Sequence, residues 1–182
     1  MALSRFPAYL TLIRHGEAPA RAATRDEPLI AAPEGLRPWQ RDHLCGVATR
    51  QALLDRLEAI GELAPAAPLS FVMVRVEGLA RLNRESGVED GDAVLRAVAG
   101  IIRRYTRATD TVGRLSGASF GIILQGTGPT GAGAAAARLS HHLGQLHAGT
   151  TRVEAHVTVA SGRGINAEVL PAAAADALGD CG

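Results

Sequence analysis

The chain contains no lysine; all 19 of its formal positive charges are arginines. Chemistry that needs an amine side chain, such as a Schiff base, is thereby excluded. Cysteine is nearly absent. Cys45 and Cys181 lie far apart, without metal-type spacing, and read as reduced cytoplasmic thiols. Aromatic residues make up only 3%, so Ala, Val, Leu and Ile must fill the core. No apolar run is long enough to cross a bilayer, and the N-terminus lacks the pattern of a secretion signal. The expectation is a soluble cytoplasmic protein with no membrane partner. Neither sign of charge prevails, since the formal net charge is +1, and no bulk attraction to nucleic acid is indicated.

The 182 residues suit one compact domain with a short extension. Residues 1–41 hold one apolar run, Tyr9 to Ile13, and then a stretch rich in Ala, Pro and Arg. Pro28, Pro33 and Pro38 break any long helix there. This segment reads as an extension or linker with room for one strand, and 42–182 as the domain.

From Thr49, Leu53, Leu54, Leu57 and Ile60 recur at helical spacing. Leu69 to Val76 reads as a buried strand, and Leu79 to Glu85 as a helix ending near Gly87. Asp92 is expected to open a long helix with Val94, Leu95, Val98, Ile101, Ile102 and Tyr105 on one face. Thr111–Leu115 and Ser119–Leu124, joined by Ser116, Gly117 and Ala118, read as a β-hairpin. An Ala-rich helix is expected to end near His147. A strand follows through Val153, Ala155, Val157 and Val159, then a short helix over Pro171–Leu178. The order helix, strand, helix, helix, hairpin, helix, strand, helix predicts an α+β fold: a central, mainly antiparallel sheet flanked by helices.

Five pieces then fall into a recognisable series. They are Asp42-His43-Leu44-Cys45-Gly46-Val47-Ala48-Thr49-Arg50, Arg75-Val76-Glu77-Gly78-Leu79-Ala80-Arg81-Leu82-Asn83, Gly87-Val88-Glu89-Asp90-Gly91-Asp92, the hairpin Ser116-Gly117-Ala118-Ser119-Phe120, and Val157-Thr158-Val159-Ala160-Ser161-Gly162. In this order and spacing they resemble the GGDEF family, the diguanylate cyclases and their inactive relatives. The resemblance runs from about Asp42 to Leu178.

The resemblance carries implications about chemistry. Family cyclases join two GTP molecules, using divalent metal held by the first Asp of D-x-D and by the acidic third residue of the hairpin. Those positions are here Arg75 and Ala118, a fixed cation and a side chain without oxygen. Ser119 replaces the other hairpin acid and Ala80 the family's lysine, while the family's late Lys and Arg fall beyond the last residue. The resemblance therefore implies a lost Mg²⁺ site, no catalytic residues and no cofactor. In this degenerate signature the hairpin is expected to serve folding alone, with Gly117 for the turn and Phe120 as a core anchor.

A binding function is implied beside that loss. Arg107-Ala108-Thr109-Asp110 matches the family's inhibitory product site, R-x-x-D, and Arg138 matches its third contact on the following helix. An Arg fork can donate to guanine O6 and N7, a carboxylate can accept from N1–H, and the second arginine can pair with phosphate. Cyclic di-GMP is the implied ligand. Asn83 and Asp92 match the family's guanine contacts in the substrate site, which leaves weak GTP binding open; their bland readings are a helix-end polar group and an N-cap. Residual cyclase activity and a non-nucleotide-binding scaffold, acting as a homodimer or through a partner protein, remain alternatives, as does a place in a longer chain with a following EAL-type domain. Arg14-His15-Gly16 looks like a phosphatase box, but has too little chain around it to build one. His141, His142 and His147 read as a solvated helix face, and the Gly-rich stretch 126–133 as a flexible connection.

Overall fold

Two strands buried along almost their whole length organise the molecule, β2 (Pro68–Val76) and β4 (Ser119–Gln125). Both are apolar, nearly continuous runs, as a strand covered on both faces requires. The computed structural model of the protein describes residues 11–14, 36–163 and 169–179. Around the two strands, β1 (Thr11–Arg14), β3 (Thr111–Ser116) and β7 (Ala155–Arg163) complete a five-stranded sheet in the order β1-β7-β2-β4-β3. Every pairing in it is antiparallel.

Side chains alternate across the sheet, so each face collects its own core. Val72, Val74, Val76, Phe120, Ile122, Val157 and Val159 pack on α3 (Val88–Tyr105) and α4 (Pro129–Leu143). On the opposite face Leu69, Phe71, Met73 and Ile123 meet α1 (Arg50–Leu63) and α5 (Val169–Gly179). The short α2 (Leu79–Ser86) buries no residue fully and connects β2 to α3. The α+β fold expected from the element order is thus present as three layers. Among the described residues, no helix is long and apolar enough to cross a membrane.

Local chemistry explains the boundaries. Thr49 caps α1, its hydroxyl accepting from the Ala52 amide at 3.3 Å. Gly87, with φ +99°, turns the chain between α2 and α3, a conformation L side chains rarely adopt.

Several expectations need correction. The long helix starts at Val88, four residues before Asp92, because Gly87 already supplies the break; Asp92 lies inside the helix and is no N-cap. Helix α4 ends at Leu143, and His147 instead begins a two-stranded hairpin, β5 (His147–Ala148) with β6 (Thr151–Arg152). Gly149, with φ +60°, makes that turn. Val153 precedes β7 and does not belong to it. The early strand occupies Thr11–Arg14 and edges the sheet beside β7, while Tyr9, Leu10, His15 and Cys181 lie outside the described residues.

Candidate functional site

The hairpin β3–β4 and the end of β2 bring the first group of residues together. Arg75 pairs in register with Ser119, and the Val76 amide donates to the Ala118 carbonyl at 2.9 Å. The positions matched to the family's metal ligands are therefore spatial neighbours. Arg75 Nε donates to Glu77 Oε1 at 2.8 Å, and Arg75 Nη2 donates to the Leu178 carbonyl at 3.3 Å. Leu178 lies in the last turn of α5, where carbonyls lack helical partners. One guanidinium thus neutralises a carboxylate and caps a helix. This donor set does not fit a divalent cation. Ala118 offers no side-chain oxygen, Ser119 only a hydroxyl, and the neighbouring carboxylate, Glu77, is committed to a cation already in place.

Phe120 is fully buried, as a core anchor should be. Gly117 differs from expectation. It does not adopt a positive φ, and a Cβ built there would meet nothing within 4 Å, so the turn does not require glycine. What fixes the hairpin is Arg114, a residue sequence reasoning passed over. Its Nη2 donates to the Gly117 carbonyl at 2.7 Å, and its Nη1 reaches Asp42 Oδ1 at 3.3 Å. Asp42 Oδ1 also accepts the Leu44 and Cys45 amides, at 3.1 and 2.8 Å. Burial pushes the Asp42 carboxyl up, but the Cys45 amide and Arg114 outweigh it and hold the group below its usual range. Cys45 itself is buried; its Sγ approaches the Leu95 carbonyl at 3.7 Å, and loss of solvent pushes the thiol up to about 11.

The second group lies where α3 runs into β3. Arg107 and Asp110 close a tight turn. The Asp110 amide donates to the Arg107 carbonyl at 3.1 Å, and Asp110 Oδ2 accepts the Arg107 amide at 2.9 Å. Asp110 Oδ1 is buried and makes no well-aligned hydrogen bond among the described residues, although the Gln125 backbone N–H stands close enough to the carboxylate to lower its pKa. Burial raises the carboxyl's pKa; the Arg107 amide, the Arg107 guanidinium, the Gln125 backbone and the Arg138 guanidinium pull the other way without cancelling it. Arg138 comes from α4 and donates Nη2 to the Tyr105 carbonyl at 3.1 Å, which holds it beside this turn. The three residues singled out from sequence are therefore gathered around one buried acceptor. Both guanidinium groups belong to exposed residues.

Asn83 and Asp92 are placed differently. Asn83 packs against Gly91 so closely that a methyl group there would collide with its Oδ1, which is buried and unpartnered. Asp92 sits 3.9 Å from Arg96, one turn along α3. The two are near in space through Gly91, but the acceptor of Asn83 is turned inward.

A family model described as "Diguanylate cyclase, GGDEF domain" matches residues 39–178. Diguanylate cyclase DgcP of Pseudomonas aeruginosa is 32% identical over 90 residues, which cover 47% of this chain and 13% of DgcP. The chain spans only a small part of the curated relatives it matches. Among solved structures, the FimX GGDEF domain of Pseudomonas aeruginosa superposes with a TM-score of 0.71 at 21% identity, covering 78% of this chain and 92% of that one. The GGDEF domain of DgcB from Caulobacter crescentus, solved in complex with c-di-GMP, gives 0.65 at 19%, covering 79% and 90%.

Proposed function

The chain belongs to the GGDEF family, and from that premise we propose that it is a binding module for cyclic di-GMP that no longer makes it. The observation that carries this reading is the grouping of the Asp110 carboxylate with the Arg107 and Arg138 guanidinium groups at one turn. A carboxylate flanked by two arginines can accept a ligand N–H while the guanidinium groups donate to the ligand's acceptors. Guanine offers that N–H at N1 and, on its other edge, the O6 and N7 acceptors that an arginine fork fits. The remaining arginine meets phosphate. That a relative of the same fold is known in complex with c-di-GMP agrees with this choice.

Loss of synthesis rests on the other group. Phosphoryl transfer of this kind depends on divalent metal that neutralises developing charge. Here the position carries the Arg75 guanidinium paired with Glu77, and the hairpin supplies no carboxylate. With the inward-turned Asn83, GTP is held weakly if at all.

Calorimetry with cyclic di-GMP tests the binding claim. Heat from the intact protein and none from Arg107→Ala is the expected result; no heat from either removes the reading. Incubation with GTP and Mg²⁺ or Mn²⁺, followed by chromatography, tests the second claim. Product above a heat-killed control overturns it. Unchanged melting temperatures with both nucleotides would favour a scaffold, since a ligand that binds only the native state raises stability.

A further inference from the structure

The histidines that the sequence suggests are a solvated helix face are organised. The His142 ring lies flat on Tyr105, with ring centroids 3.7 Å apart and planes inclined by 8°. His141 meets His142 edge-on at 5.2 Å and 79°. On Tyr105 the Arg104 guanidinium carbon stands 6.0 Å from the ring centroid. The carbonyl of this same Tyr105 anchors Arg138. On α4, residues 138, 141 and 142 stand at i, i+3 and i+4, so they share one face within about one 5.4 Å turn. His141 is exposed and His142 half-buried.

Building on the binding reading above, we propose that His141 and His142 extend the arginine–aspartate clamp, donating imidazolium N–H groups to a phosphate of cyclic di-GMP. A cyclic dinucleotide brings two phosphates, and the clamp alone engages one purine edge and one of them. Tyr105 from α3 lies on the His142 ring and carries Arg104 over its own, Arg138 stands one turn back on the same helix as the histidines, and Arg138 in turn acts on Asp110 together with Arg107 at the turn after α3. The cations outnumber the single acid. An anion placed among them favours the protonated imidazole, so capture of the ligand draws a proton from solution. Asp110 can act only in the opposite sense, because an acceptor carboxylate must be ionised and any proton it holds is released when it accepts a ligand N–H. The sign of proton transfer therefore separates the two.

The test is calorimetric titration of the intact chain with cyclic di-GMP between about pH 6 and 8, in pairs of buffers with different ionisation enthalpies. Net proton uptake is expected, with affinity rising as pH falls by up to about tenfold per pH unit for one linked proton. His141→Gln, which leaves the stack of His142 on Tyr105 in place, should flatten that dependence in part. The double variant His141→Gln/His142→Gln should abolish the proton uptake, leaving at most the release from Asp110, while retaining binding through Arg107 and Asp110. Binding with no proton uptake, or uptake undiminished in His141→Gln, overturns this inference and leaves the clamp standing. Absence of binding at every pH overturns both.

Discussion

Replacing Asp110 by Asn separates a binding role from a structural one, because the two predict opposite signs in stability. The side chain keeps its shape, and an amide oxygen can still accept the Arg107 amide now bonded at 2.9 Å. The turn should therefore survive. Burial holds the native carboxyl above its ordinary 3.8, so its ionised form disfavours the folded state at neutral pH. Stability from this group accordingly increases as pH falls through the raised folded value, and Asn should capture that gain at all pH values. The melting temperature is expected to stay level or rise, by about 2–4 °C per kcal/mol for a chain of this size. Ligand affinity should move the other way. The variant replaces a charged acceptor by a group that can place an NH₂ against the guanine N1–H, and a hydrogen bond to a charged group is worth about 1.5–3 kcal/mol. That corresponds to a loss of roughly 10- to 150-fold in Kd. Thermal melts and calorimetry with cyclic di-GMP on the same two preparations suffice. A variant that melts lower yet binds as tightly as the parent would refute the reasoning, since Asp110 would then be a turn residue alone.

Other perturbations follow from the same geometry. At Gly121, a Cβ would stand 2.5 Å from Phe71 Cζ and 2.7 Å from Leu53 Cδ2, so Gly121→Ala should cost about 1–3 kcal/mol in urea unfolding. Gly117→Ala should cost little, because its Cβ meets open space. Asp42 is held below its usual 3.8, so its contribution is present above that value and is lost as pH falls through its folded pKa. Asp42→Asn should therefore flatten the acid limb of a pH–stability curve and lower neutral-pH stability by about 1–3 kcal/mol. In a Cys181→Ser background, Cys45 should resist thiol reagents until denaturant opens the core, because it is buried and its thiol is pushed up to about 11.

The layers of the fold were legible because their signals are local. Periodicity 3.6 in Leu53, Leu57 and Ile60, and unbroken apolar runs in 69–76 and 119–124, each predicted an element that the structure contains. Boundaries were less legible where backbone conformation competes with side-chain signals. Asp92 has the chemistry of an N-cap, yet the positive φ of Gly87 had already broken the chain. The hairpin β5–β6 escaped notice because two-residue strands carry no period. At the site, the gathering of Arg107, Asp110 and Arg138 was foreseen from a motif, but the partners that hold them were not. The Tyr105 carbonyl that anchors Arg138, the Arg114 contact to Asp42 across 72 positions, and the His142 ring on Tyr105 all depend on how α3, α4 and the sheet edge meet. No spacing along the chain encodes such meetings.

The two hydrogen bonds of Arg75, to Glu77 and to the end of α5, decide what this position tolerates. An aspartate restored at 75 would face another carboxylate across a distance that now suits a salt bridge, and would point at the negative pole of a helix. Such a substitution would thus be penalised whether or not an ion were offered. The charge at position 75 is therefore tied to the packing of the last helix, and changing its sign would unsettle α5 and the strand end together.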